Sequence, residues 1–160
     1  MKYDKHLVSF PWSDYELLDS GDSMKLERFG TIVVARPETQ ALWQKMRPEL
    51  WEQAHAEFVF REKKGIWNMK RSVPESWELS WNAARFLVRL TGFKHTGMFP
   101  EQAPNWQWLS EKVSEFEKPK VLNLFGYTGI ASIVAAQAGA FVTHVDASKQ
   151  SLDWAHENAR

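Results

Sequence analysis

The run Leu122-Asn123-Leu124-Phe125-Gly126-Tyr127-Thr128-Gly129, followed by Thr143-His144-Val145-Asp146-Ala147-Ser148, decides the fold. Val121 to Phe125 reads as a short apolar strand that ends in a glycine-bearing turn, Gly126 to Gly129. Ile130 to Ala138 reads as a small-residue helix with Ile130, Ile133, Val134 and Ala138 on one face. Gly139 stands where a helix C-terminal glycine belongs. Phe141 to Val145 is a second apolar strand, ending at Asp146. Ser148 can cap a further helix, with Leu152, Ala155 and Ala159 on its inner face, that runs to Arg160. Strand, glycine turn, helix, strand, acidic residue is the opening of a doubly wound α/β domain.

Each position has a physical use. Gly126 and Gly129 allow a tight turn and close approach of a ligand to the backbone. The helix that begins at Ile130 presents unpaired amide groups to that ligand. Asp146, at the carboxyl end of its strand, can accept hydrogen bonds from two ribose hydroxyls. The separation from Gly126 to Asp146 matches the roughly 20 residues of an adenosine-binding βαβ unit. A dinucleotide fingerprint needs glycines where this sequence has Thr128 and Ser132, so the close approach of a pyrophosphate is missing. A cofactor without a pyrophosphate fits better, with S-adenosylmethionine the first choice and a dinucleotide the alternative.

LNLFGYTG (Leu122–Gly129) followed by THVDAS (Thr143–Ser148) resembles motifs I and II of the class I S-adenosylmethionine-dependent methyltransferases. The likeness is greatest to the group containing the 23S ribosomal RNA cytosine-5 methyltransferases, where the turn reads LNLFCYTG. His95 to Gln102, HTGMFPEQ, is similar to the segment that precedes motif I in that group. The front of the chain, YELLDSGD…KLERFG…RP, resembles the small N-terminal domain of a bacterial branch of these enzymes. The resemblance implies a Rossmann-like α/β fold class, with a partial parallel sheet, preceded by a small mostly-β domain. It implies that Asn123, Phe125, Gly126, Tyr127, Thr128 and Gly129 line the methionine and ribose side of the cofactor. Asp146 would hold the ribose hydroxyls, with Ala147 and Ser148 near the adenine. Thr96, Gly97, Phe99 and Gln102 would fold over the methionine moiety. Two departures stand out: Gly126 replaces the family's Cys, and Asn123 stands where many class I enzymes carry an acid. Carbon-5 methylation of a pyrimidine needs a Cys nucleophile, which this chain lacks. The resemblance implies further strands and later motifs, so the chain is expected to be the N-terminal portion of a longer enzyme. Alone, it is expected to bind cofactor poorly and not to turn over.

Working outward, Phe93 to Gln102 is polar and rich in turn formers. Pro104 and Asn105 start a helix with Trp106, Leu109, Val113 and Phe116 on one face, stopped at Lys118-Pro119. Upstream lie shorter elements. Tyr15 to Asp19 and Lys25 to Phe29 flank a turn signal at Ser20–Ser23, and Lys25-Leu26-Glu27-Arg28-Phe29 alternates as a half-buried strand should. Ile32 to Ala35 is β-branched and apolar. Thr39 to Trp51 reads as helical, with Leu42, Trp43 and Met46 at helical spacing. Ala56 to Arg61 and Ile66 to Lys70 suggest a hairpin around Lys63-Lys64-Gly65. Strands are expected around Trp77–Trp81 and Phe86–Leu90. Residues 1–92 thus read as a small mostly-β domain, and 93–160 as the cofactor-binding portion.

Composition narrows the partners. The 160 residues carry 20 basic and 20 acidic side chains and no cysteine. A polycationic nucleic-acid binder, a disulfide scaffold and a Cys-ligated metal site are excluded for this stretch. Nine tryptophans and ten phenylalanines suggest large-ring packing. No run approaches the roughly 20 apolar residues of a membrane span, and Met1 to Phe10 lacks the apolar centre of a secretory signal. The expected location is cytoplasmic, with no metal and no membrane partner. Residues 61–71 are locally basic around Trp67: the segment could touch RNA phosphates, or could be a solvated hairpin with Trp67 packed inward. His95, His144 and His156 read as packing or surface residues. An RNA substrate is the expected partner. A nucleotide-dependent oxidoreductase and a non-catalytic RNA-binding module are the alternatives.

Overall fold

A computed structural model describes residues 11–62 and 64–160. The reading of Met1–Phe10 as free of a signal, and Lys63 in the expected turn, lie outside the described residues. The chain folds as two compact units. One holds Trp12–Leu79 and Val88–Thr96; the other holds Ser80–Leu87 and Gly97–Arg160. The units therefore alternate along the chain and do not meet at a single point near Gly92. Ser80–Leu87 groups with the C-terminal residues because Phe86 packs on Trp106, and Leu87 gives its N–H to Asn158 and its carbonyl to Trp154.

The first unit is built on a five-stranded sheet in the order β1-β2-β3-β4-β5. Its strands are β1 (Tyr15–Gly21), β2 (Met24–Phe29), β3 (Ile32–Pro37), β4 (Ala56–Arg61) and β5 (Lys64–Met69). β1 to β3 form an antiparallel meander, β4 lies parallel to β3, and β5 closes as a hairpin on β4. One face of β2 and β3 offers Leu26, Val33 and Ala35, covered by Leu50, Trp51 and Ala54 from the β3–β4 crossover. The other face carries Phe29, Val34, Glu27 and Arg36, all buried. Lys25 to Phe29 is therefore not a half-buried strand: both of its faces are covered, and the charge of Glu27 is matched inside. Arg36 donates to Glu27 Oε2 from Nε at 2.5 Å and to Oε1 from Nη2 at 2.9 Å, and Tyr15 Oη donates to Oε1 at 2.9 Å.

The helix expected over Thr39–Trp51 does not form. Only Pro48–Gln53 winds, as a short 3-10 segment. The backbone before it is spent on the end of β1 instead. Asp22 and Ser23 donate to the carbonyls of Trp43 and Ala41, and the Asp19 carboxylate accepts from Met46 N, Arg47 N and Trp51 Nε1. Leu42, Trp43 and Met46 consequently point outward instead of forming a buried stripe. Burial opposes the Asp19 charge, but those hydrogen bonds, Trp51 foremost, hold its carboxyl below the ordinary range.

Hairpin strands β6 (Trp77–Trp81) and β7 (Ala84–Val88) follow. The second unit then carries α1 (Ala103–Ser114), β8 (Lys120–Leu124), α2 (Ile130–Gln137), β9 (Phe141–Val145) and α3 (Lys149–Asn158). β8 and β9 pair in parallel, from Lys120 opposite Phe141 to Leu124 opposite Val145. A β–α–β unit with both strands parallel is the arrangement that positions a site at the strands' carboxyl ends. Trp106 and Val113 are the buried side of α1, whereas Phe116 falls past its end and is exposed. Trp106 meets Trp81 and Phe86 edge-on, while Trp108, two residues on, faces outward. α3 ends at Asn158; of the expected inner residues Ala155 is buried, Leu152 is half-buried and Ala159 is exposed, and Ser151, Trp154 and Asn158 complete the inner face. Ser148 caps the helix as expected, its Oγ accepting from Ser151 N, and the inward turn of Trp154 and Asn158 goes with their hydrogen bonds to Leu87 and Thr128. Among the described residues, no helix is long and apolar enough to cross a membrane.

Candidate functional site

The glycine turn after β8 is held from three sides. Gly126 N donates to the Val145 carbonyl, and Gly129 N to the Gly126 carbonyl. Thr128 Oγ1 donates to the Gly97 carbonyl at 2.6 Å, and Asn158 Nδ2 donates to the Thr128 carbonyl at 2.8 Å. Asp146 Oδ2 accepts from Tyr127 N at 2.9 Å while its Oδ1 accepts from Ser148 N at 2.8 Å. One carboxylate thereby joins the turn to the cap of α3. The Ser148 and Tyr127 amides hold its pKa below the ordinary carboxylate value, with His144 adding to the effect.

The turn departs from the expected use of glycine in one respect. The left-handed backbone falls on Phe125 (φ 56°), Tyr127 (φ 52°) and Gly129 (φ 86°), not on Gly126. Two side-chain-bearing residues in this region cost of order 1–2 kcal/mol each, a strain that clusters at functional sites. Gly126 is needed for space: a Cβ there would lie 2.3 Å from His144 Cε1 and 3.0 Å from Asn123 Nδ2. Its effect is to let the His144 ring pack beneath the turn, not merely to loosen the chain.

A cavity of about 250 Å³ opens over this turn. Phe99, Gln102, Asn123, Phe125, Gly126, Tyr127 and Thr128, all expected from the sequence, line it. So do Trp106, Ile130 and Ala131, read from the sequence as helix residues, and Met98, which lies within the expected segment before motif I but was not among its expected site residues. The Phe99 and Tyr127 rings lie 5.4 Å apart and tilted across it. α2 starts at Gly129 with no capping side chain, so its first-turn amides keep their donors. The cavity is below the roughly 300–1,000 Å³ of pockets that enclose a whole small molecule, and suits part of one. The uncapped amides, the part-buried carboxylate with spare acceptor capacity and the aromatic wall fit the donor and acceptor set of a nucleoside-linked amino acid.

The remaining expected residues are not in the lining of this cavity. Thr96 is fully buried. Gly97 (φ 97°) is pressed against Trp154, whose ring lies 2.3 Å from where a Cβ would stand. Gly129 packs on Ala155. Asp146 is half-buried and ties the turn, while Ala147 and Ser148 are exposed at the start of α3. Three residues that sequence reasoning passed over hold the site: Asn158 clamps the turn, and Ser132 and His144 support Asn123. The i, i+7 spacing of Ser151 and Asn158 in α3 is the signal that would have placed Asn158 inward. In the hairpin of β4 and β5, Trp67 packs edge-on to Phe58 and donates to the Thr91 carbonyl, so the ring is turned inward.

No family model matches the chain. Over 86 residues, 52% of its length, it is 46% identical to the ribosomal RNA large subunit methyltransferase K/L of Alteromonas mediterranea. The match covers 12% of that protein. Over 77 residues it is 46% identical to the protein of the same name from Dichelobacter nodosus, covering 10% of it. In structure, the S-adenosylmethionine-dependent methyltransferase of Agrobacterium tumefaciens superposes on 94% of this chain with a TM-score of 0.88 and 49% identity. The chain spans about half the length of that structure, 49%, and about a tenth of the curated relatives. By sequence and by fold, this chain is a relative of the S-adenosylmethionine-dependent methyltransferases.

Proposed function

We propose that the chain carries the cofactor-holding part of a methyltransferase that uses S-adenosylmethionine and acts on RNA in the cytoplasm, with residues 93–160 supplying the site. The observation that carries this reading is the turn Phe125–Gly129, held against Asp146 through the Tyr127 amide and opening on an aromatic-walled cavity. The cofactor would supply a methyl group bonded to a positively charged sulfur, ready for in-line displacement. The chain's part is to bind and orient. Asp146 keeps lone pairs beyond those bonded to Tyr127 and Ser148, free to accept ribose hydroxyls. Gly126, Thr128 and the first amides of α2 give the ligand a polar floor. Thr96 and Gly97 fix the backbone that brings Met98, Phe99 and Gln102 over the cavity, where the rings of Phe99, Tyr127 and Trp106 exclude water. Phe125 and Asn123 reach the cavity from the end of β8, and Gly129, Ala147 and Ser148 shape the two helix starts.

The RNA part of the reading draws on the names of the K/L relatives and on the exposed tip of the β4–β5 hairpin, where Arg61 and Lys64 stand opposite one another beside exposed Phe60. The test is calorimetric titration of the chain with S-adenosylhomocysteine and, separately, with NAD. Binding of the first and not the second is expected; heat with NAD alone overturns the reading in favour of an oxidoreductase. RNA binding without any cofactor binding would favour a non-catalytic RNA module.

A further inference from the structure

Among the described residues, seven other than glycine have a left-handed backbone. Asp22, Ser23, Glu62, Asn82 and Lys118 are polar and sit in turns or bends, where such residues tolerate it. Phe125 and Tyr127 carry large rings instead. Their conformation is imposed by the turn. Leu124 pairs with Val145 in the β8–β9 ladder, Gly126 N donates to the Val145 carbonyl, and Tyr127 N donates to Asp146. These bonds run through backbone atoms and Asp146, so glycine at either position would hold the same turn with less strain.

The two rings differ in what offsets that strain. Tyr127 is half-buried, and its ring packs on Phe99 at 5.4 Å. Phe125 is 89% exposed, the highest value among the exposed large hydrophobic residues described. Its ring adds almost nothing to the core, yet it lines the cavity. A strained residue that also holds an apolar ring in water destabilises the free chain twice over, and such residues collect where a ligand is received.

The rest of the lining says what the ring fits. Gln102 and Asn123 also reach the cavity, and a side-chain amide offers both a donor and an acceptor. No Lys, Arg, Asp, Glu or His stands among the described lining residues. A phosphate or an ionised side chain would find no counter-charge there. A face for stacking, amides for polar edges and no fixed charge match a neutral flat ring with donors and acceptors around its rim, which is an unpaired nucleobase. We propose that Phe125 is the stacking surface for the acceptor, and that the methyl group goes to an unpaired base of the RNA lying on that ring. This rests on the function proposed above and names the acceptor of that same site. The cofactor's own adenine is assigned elsewhere, because Asp146, Ala147 and Ser148 are not in the lining.

The experiment is proton NMR on the full chain saturated with S-adenosylhomocysteine. The 5′-monophosphates of adenosine, guanosine, cytidine and uridine are added one at a time, with ribose 5-phosphate as the control that lacks a base. The base protons of at least one nucleotide are expected to move upfield, as they do over an aromatic face, and ribose 5-phosphate should shift nothing. Phe125→Gly should weaken that nucleotide about tenfold, the worth of one stacked base, and S-adenosylhomocysteine by less. Its melting temperature should be unchanged or raised. Phe125→Leu keeps the backbone strain without the ring and should lose the same affinity, whereas Phe125→Trp should retain it. A fall in the melting temperature of Phe125→Gly would make the ring structural and overturns the proposal. So does an equal or larger loss of S-adenosylhomocysteine affinity, which would give the ring to the cofactor, or nucleotide shifts that are absent or the same in every variant. If S-adenosylhomocysteine itself shifts no resonance, the cofactor reading fails, and the nucleotide titrations repeated without it still decide the stacking.

Discussion

In the five-stranded sheet, Glu27 meets Arg36 and Tyr15 and is fully shut away from water; after β9, Asp146 ties two backbone amides and remains half-exposed. Both carboxyls are held below their usual range, for different reasons. Burial works against the Glu27 charge, and the Arg36 guanidinium overcomes it through hydrogen bonds and charge. Asp146 is held chiefly by peptide amides, Ser148 and Tyr127 foremost, with His144 a lesser contribution. The difference separates structure from site. A carboxylate whose oxygens are all occupied in a closed pocket can only hold strands together. One bonded solely to backbone, with part of its surface open, shapes a turn and still has acceptors to offer a ligand.

The strongest way to break this contrast is Arg36→Met. It leaves buried Glu27 with only the partly exposed Lys25 ammonium, 3.5 Å away, as its cation and should cost about 3–5 kcal/mol, read by urea unfolding. Replacing both partners with apolar residues of similar size should restore most of that loss; if it does not, the pair is more than a self-compensating charge. Acid tests the same group. Its folded pKa is depressed, so its stabilisation is complete above the unfolded carboxyl value of about 4.3 and is lost as pH falls through the lower folded value. Melting temperature should be flat with respect to Glu27 above about pH 5 and fall below it, and Glu27→Gln should blunt that fall.

Asp146→Asn addresses the other side. It should leave the five-stranded sheet intact but weaken S-adenosylhomocysteine binding by roughly ten- to hundredfold, the worth of a charge-assisted hydrogen bond of about 1.5–3 kcal/mol. An unchanged affinity would remove Asp146 from the site. Gly126→Ala should destabilise the turn by about 1–3 kcal/mol through collision with His144, and adding His144→Ala should recover most of it. Thermal unfolding of the single and double variants reads this coupling, and additive effects would show that the glycine serves the backbone and not the ring. The smallest effect is expected at the β4–β5 hairpin. Arg61→Ala and Lys64→Ala should each reduce the salt dependence of RNA binding by about one unit of slope, with stability unchanged.

The strands were legible because their signals are local. Lys25 to Phe29 and Ile32 to Ala35 are bounded by turn formers, and all nine strands among the described residues overlap or adjoin a run read from the sequence. Thr39 to Trp51 misled because Leu42, Trp43 and Met46 have helical spacing. What defeated it was non-local: the Asp19 carboxylate and the β1 end claim the backbone donors and acceptors of residues 41–47. Glu27 also misled, since nothing near it in sequence announces Arg36 on the neighbouring strand. In the cavity, the glycine turn was readable, whereas Trp106 required knowing that α1 packs against α2, and Met98 that its segment reaches the same cavity.

By itself the sequence determined the order of elements after Pro104, the glycine turn and the acid that follows it, because periodicity, capping and turn chemistry act over a few residues. Only the tertiary structure decided what those residues hold. It gave Gly126 to the His144 ring, put the backbone strain on Phe125 and Tyr127, and joined Asn123, Ser132 and His144 from three separate elements. The physical reason is that hydrogen-bond partners and close contacts are set by packing between elements distant in sequence, and no local pattern encodes them.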